Sequence, residues 1–239
     1  MKTAFTIAMS VLLAAISHGA VVDLSNMLSD PTFDTITYSA TQTYQQLPYG
    51  GWKADKTGGD YTYGPAYYVE ANTAAFTVGA SWYEYQVTPG SADSGNSYLG
   101  LYAPWSGGLV QMATPITMTA GNTYALSFKV RKEAGLVMFN TLLVCFTKID
   151  GNHDNVNFFG EKVYTWGTDY TDDGALWQTL TYTYTPSQDT TGYFLIYGHP
   201  DVTAHAGMAI DTFSTIPEPM SLALTCLGGL FFMNKRHRK

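Results

Sequence analysis

The sequence predicts an all-β fold, an antiparallel jelly-roll β-sandwich, and three observations point to it. First, apolar and polar residues alternate at period two: Tyr124, Leu126, Phe128 and Val130 against Ala125, Ser127, Lys129 and Arg131. Second, such runs are parted by short turn clusters, Pro89-Gly90-Ser91, Asp93-Ser94-Gly95-Asn96, Ala120-Gly121-Asn122 and Asp172-Asp173-Gly174. Third, no amphipathic helix of two turns or more is evident in residues 21–216. Charged residues make up 13% and aromatics 15%, the palette of an exported β-protein whose rings and β-branched side chains fill strands.

In chain order, residues 1–20 read as a secretory signal peptide. Lys2 supplies the positive start, Ala4 to Ile16 the apolar stretch, and Ser17, Gly19 and Ala20 the small residues of a cleavage region. Residues 21–215 follow as one β-sandwich domain, long enough for a sizeable core. Alternation predicts strands over Ala75–Thr88, Ser97–Tyr102, Gly108–Ala113, Asn122–Arg131, Leu136–Ile149, Thr179–Thr185, Gly192–Tyr197 and Gly207–Phe213. Pro186 ends the threonine-rich strand. Residues 50–64, where glycine and aromatics alternate with few aliphatics, are expected to form loops. The chain carries −7 overall. Without Lys2, the four tail cations and Glu218, the body retains 7 basic and 18 acidic residues, or −11. That balance argues against nucleic acid or an anionic lipid surface as a partner. Of two cysteines, Cys226 lies in the tail, so Cys145 has no partner in the body and reads as a small core residue.

Asn26-Met27-Leu28-Ser29-Asp30-Pro31-Thr32-Phe33-Asp34, followed by Gly51-Trp52, resembles the opening of galactose-binding-like jelly rolls, which include several carbohydrate-binding modules. Three further segments fit in the same order: Thr119 to Phe128, the strand begun by Trp177, and Ala209-Ile210-Asp211-Thr212-Phe213. The resemblance implies the jelly roll and makes Trp52 and Trp177 core candidates. It also implies a structural calcium where the first and last strands meet, held by Asp34 and Asp211.

For ligand contact the aromatic candidates are Trp52, Tyr61, Tyr63, Trp105 and Trp166, because a ring face can stack on the apolar face of a sugar. A second calcium reading comes from the residues themselves. Asp150, Asn152 and Asp154, with Glu161 further on, space oxygen ligands as an acidic calcium loop does. Its flanks read as strands where an EF-hand needs helices, so a polar hairpin loop is the competing expectation. The histidines offer no zinc spacing, no nucleophile elbow or phosphate loop is present, and no catalytic residue is assigned.

The last 24 residues form an address. Pro217-Glu218-Pro219 is followed by the apolar run Met220–Met233, and Lys235, Arg236, Arg238 and Lys239 close the chain. As a helix the run would extend ~21 Å, short of the ~30 Å hydrocarbon core. The terminal cations would hold the C-terminus in the cytoplasm. Residues 216–239 resemble the PEP-CTERM sorting signal of Gram-negative bacteria. That resemblance implies transient anchoring in the inner membrane, processing near Pro217-Glu218-Pro219 by an exosortase-type protease, and a final place at the cell surface or outside it. Three functions stay open: a non-catalytic sandwich that binds extracellular polysaccharide, a jelly-roll glycoside hydrolase or polysaccharide lyase, and a structural matrix protein without a small ligand.

Overall fold

The computed structural model describes residues 19–39, 42, 44–54, 66–80, 83–103, 108–148, 157–171, 176–199 and 206–216. The signal-peptide stretch and the sorting tail, with Pro217, Glu218 and Pro219, lie outside them. Among the described residues, no helix is long and apolar enough to cross a membrane.

The chain is an antiparallel jelly-roll sandwich. One sheet contains β1 (Val21–Asp23), β2 (Tyr44–Gln46), β4 (Ala66–Glu70), β7 (Ser97–Ala103), β10 (Thr123–Lys132), β13 (Gln178–Tyr184) and β15 (Ala206–Ser214). The other contains β3 (Trp52–Lys53), β8 (Gly108–Met112), β9 (Ile116–Met118), β11 (Thr141–Thr147), β12 (Phe158–Thr165) and β14 (Thr190–His199). A separate hairpin, β5 (Phe76–Ala80) with β6 (Tyr83–Val87), replaces the single strand expected over 75–88. The first sheet runs β13-β10-β15-β7-β4-β2, with β1 sharing the β15 edge of β10 in a parallel pairing. The second runs β12-β11-β14-β8-β3, with β9 in tandem with β8 along β14.

Alternation decides what lies between the sheets. Leu126, Phe128, Val130, Leu180, Tyr182, Ile210 and Leu99 of the first sheet meet Val144, Phe146, Phe194, Ile196, Val110 and Met112 of the second. At the centre sits Trp52, fully buried, its ring stacked on Phe213 at 5.7 Å and tilted against Phe33 at 5.7 Å. Its Nε1–H donates to the Ser29 carbonyl at 2.6 Å, so the indole loses no hydrogen bond on burial. Phe33 holds φ +58°, a conformation costly for a bulky residue, and its burial against Trp52, Tyr68 and Phe213 offsets that strain. Residues 50–53, expected as loop, contain the short strand β3 because Trp52 must enter the core beside Met112.

The outer face of the first sheet carries a second small core: Tyr67, Val69, Tyr98, Tyr102 and Ala209 pack with Phe76 and Val87 of the β5–β6 hairpin and with Leu136. At one side of the sandwich the edge strands β12 and β13 cap each other's backbone. Lys162 Nζ and Tyr164 Oη both donate to the Thr181 carbonyl at 2.6 Å, and Tyr182 Oη donates to that of Gly160 at 2.6 Å. These bonds block edge carbonyls that could otherwise template pairing with another chain.

Trp52→Ala removes the ring shared by both sheets. We expect it to lower unfolding free energy by about 3–5 kcal/mol in urea titrations, on the scale of large aromatic deletions. A loss under 1 kcal/mol would show that the cluster does not organise the core.

Candidate functional site

A β-bulge builds the site. On β11, Val144 pairs with Lys162 and Phe146 with Phe159, so Cys145 alone stands opposite the two residues Gly160 and Glu161. Gly160 has φ +63°, and a Cβ there would lie 2.8 Å from the Tyr184 ring and 2.9 Å from Tyr182 Oη. Only glycine fits that bulge position. Strict alternation would send Phe158 to the core side with Lys162 and Tyr164. The extra residue reverses the faces, so Phe159 stacks inward on Phe146 at 5.6 Å. Phe158 then joins Glu161 and Val163 on the outer face.

There they line an open groove of about 270 Å³ with Thr141 and Leu143 of β11 and Tyr197 and His199 of β14. Tyr197 and His199 lie edge to face, with ring centroids 6.0 Å apart. Beneath and beside them Leu109, Cys145 and Leu195 form a buried apolar patch. Burial pushes the Cys145 thiol far up, and nearby Glu161 adds to it, so this sulfur is a packing group and not a nucleophile. The groove therefore offers aromatic and aliphatic surface, a hydroxyl, an imidazole and one exposed carboxylate across three adjacent strands.

The candidates read from sequence fall differently. Trp52 is corrected: it is core, with no face open to a ligand. Trp166 is 47% exposed just past β12, but it is not among the groove-lining residues. Tyr61, Tyr63 and Trp105 lie outside the described residues, as do Asp150, Asn152 and Asp154. Asp150, Asn152 and Asp154 fall between β11 and β12, which pair antiparallel, so the flanks are strands as expected. Trp177 is half-buried over the Arg131 guanidinium at 4.9 Å. Of the groove residues, the sequence singles out Glu161 as a calcium ligand and His199 among the histidines without zinc spacing, and none of them for ligand contact.

Asp34 and Asp211 both bond the loop of residues 93–96. Asp211 Oδ2 accepts from the Asp93 and Ser94 N–H groups at 2.8 and 3.2 Å, and its Oδ1 from Thr212 N–H at 2.7 Å. Asp34 Oδ1 accepts from Asn96 N–H at 3.0 Å, and its carboxylate fills the space a Cβ on Gly95 would take. A calcium shell needs six to eight oxygen ligands. Here backbone donors face the carboxylates, Lys129 Nζ stands 4.0 Å from Asp93, and no group of three or more metal-ligating side chains occurs among the described residues. Asp34 and Asp211 fit a hydrogen-bonded loop clamp, not a calcium site.

The same loop region is gripped from below. Arg131 donates to Glu133 at 3.0 Å, Tyr98 Oη donates to the other Glu133 oxygen at 3.1 Å, and Trp177 Nε1–H reaches the Ser91 carbonyl at 3.2 Å. Burial pushes Glu133 up to about 7, against the pull of Arg131 and Tyr98. Burial likewise pushes Asp211 up to about 6 despite its N–H donors.

No family model matches the chain, and no curated protein matches it either. Several solved structures are similar. A cyclase from Fischerella sp. TAU, in complex with 4-(1H-indol-3-yl)butan-2-one, is 14% identical with a TM-score of 0.48, over 80% of this chain and 96% of that one. TmCBM61 in complex with β-1,4-galactotriose is 12% identical with a TM-score of 0.40, over 80% and 97%. The CBM22-1 xylan-binding domain from Paenibacillus barcinonensis Xyn10C is 18% identical with a TM-score of 0.40, over 82% and 94%.

Both raised carboxylates set a pH dependence. Between their ordinary values near 4 and the folded values of about 6 and 7, the folded chain holds protons that the unfolded chain has released. Their contribution is thus fully present below pH 4 and is lost as pH rises through 6 and 7. We expect the urea midpoint to fall from pH 5 to pH 8, and Glu133→Gln with Asp211→Asn to flatten that slope. A midpoint that rises over this range in the parent chain would contradict the assignment.

Proposed function

We propose that this chain is an exported β-sandwich that binds a polysaccharide strand in the groove on the β12-β11-β14 face. One observation carries the reading: a single open groove places Tyr197, Phe158, Leu143 and Val163 beside Thr141, His199 and Glu161. Sugar chains present apolar ring faces flanked by hydroxyls. Rings and aliphatics meet the faces, while the hydroxyl, imidazole and carboxylate bond the rims. The groove is shallow, which suits a chain laid across strands better than an enclosed small molecule. Its lining includes one carboxylate, whereas most glycoside hydrolysis uses two flanking the bond, and that favours binding over cleavage.

The destination belongs to the same proposal. The leader at residues 1–20 exports the body, and the tail at 216–239 tethers it briefly to the inner membrane. An exosortase-type protease then acts near Pro217-Glu218-Pro219 and frees it to the cell surface or extracellular matrix. An acidic, sparsely charged body suits that setting. Calcium enters only through Asp150, Asn152 and Asp154 on the β11–β12 connection, so binding is measured with calcium and with chelator.

On a glycan array the purified protein should retain at least one polysaccharide, and Tyr197→Ala should weaken that binding about ten-fold without changing the melting temperature. Silence across the array would refute the binding role. Replacing Pro217, Glu218 and Pro219 by alanine should leave the protein in the inner-membrane fraction. Unchanged release to the exterior would count against tail-directed sorting.

A further inference from the structure

Building on the reading of the groove as a glycan site, we infer that it selects by charge. It takes polysaccharide whose sugars carry free amino groups and rejects uronate chains, with Glu161 as the discriminating residue. Three observations converge on this. The bulge at Gly160 puts the exposed Glu161 carboxylate on the groove face, beside Phe158 and Val163.

The cation next to Glu161 in sequence is directed elsewhere. Lys162, next to Glu161 in sequence, turns to the core side, where its Nζ bonds the Thr181 carbonyl and lies 4.9 Å from the Tyr164 ring centre. Lys53 of β3 reaches across β8 and is held over the Tyr193 ring of β14 at 5.5 Å, outside the groove lining. No lysine or arginine is among the lining residues, and His199, the remaining ionisable one, lies edge to face with Tyr197. Finally, the chain's net charge of −7 repels polyanions before contact.

An ammonium on a sugar stacked along Tyr197 and Leu143 would donate a charge-assisted hydrogen bond to Glu161, which a hydroxyl matches only in part. A uronate there would set two anions face to face with no lining lysine or arginine to separate them. Because Glu161 is exposed, the gain is that of a surface pair, up to about five-fold.

The test uses isothermal titration of the purified chain with β-1,4-linked glucosamine hexamer, its fully N-acetylated counterpart and oligogalacturonate, at low and at high salt. The amine hexamer should bind about five-fold more tightly than the acetylated one at low salt, and the uronate should not bind. The preference should shrink to within two-fold at high salt. Glu161→Gln should show the same loss of preference, with its melting temperature unchanged. Equal or weaker binding of the amine hexamer, binding of the uronate, or a preference that survives Glu161→Gln would each overturn charge selection. If neutral glycans on the array bind with no gain from amino groups, only the selectivity fails. If no glycan of any charge binds, the groove is not a glycan site and the inference falls with it.

Discussion

Everything in this sandwich is arranged around the indole of Trp52, which both sheets and the N-terminal segment touch at once. It stacks on Phe213 of β15 and meets Phe194 of β14 edge-on at 6.4 Å. Through Ser29 and Phe33 it also holds the irregular chain at residues 28–34, where Asp30 and Phe33 take positive φ. The Phe213 N–H donates to the Pro31 carbonyl at 2.9 Å, so first segment and last strand are joined by backbone as well as by rings. A strand of two residues, β3, exists to carry that one side chain inward. In a domain with no disulfide and few charges, a shared aromatic cluster is the means by which distant segments are fixed to one another.

Much of this was legible in the sequence. Period-two patterning located β7, β8, β10, β13, β14 and β15 because each has one face in the core and one turned away. It failed at β1, β2 and β3, which are too short to show a period, and it fused β5 with β6 since their alternation runs on through the turn. The groove was hidden for a sharper reason. Its membership depends on the bulge at Gly160, and one inserted residue flips every later side chain to the other face. Phe158 and Phe159 are chemically identical, so no composition argument assigns one to ligand and the other to core. The clue was the glycine inside a strand-like run, which marks a bulge more often than it marks a loop.

Asp34 and Asp211 show a different limit. Family resemblance pairs Asp34 with Asp211, and in the structure each bonds the loop at residues 93–96. What resemblance could not supply is the sign of the partner. A buried carboxylate can be satisfied by a cation or by converging amides, and the amide solution depends on Gly95, whose φ of +65° and missing Cβ let the loop close on Asp34. The Arg131–Glu133–Tyr98 cluster beneath the neighbouring residues follows the same logic, with each carboxylate oxygen given a donor. Loop 88–96 is thereby pinned on the outer face of the first sheet.

That pinning leaves the open groove on the opposite side of the molecule. The outer face of the first sheet is covered, by the β5–β6 hairpin, by Leu136 and by the clamped loop, and its tyrosines Tyr67, Tyr98 and Tyr102 are spent on packing. On the second sheet the strip from β12 to β14 keeps Val163 and Glu161 exposed and Tyr197 half-exposed above the buried Leu109, Cys145 and Leu195. A sheet whose outer strip is apolar beneath and mixed above can hold a ring face without losing its own packing. Edge capping between β12 and β13 adds the last condition, because it fixes the strand that carries Glu161 against the rest of the sandwich. The groove is therefore a surface whose shape is set by the same bonds that close the fold.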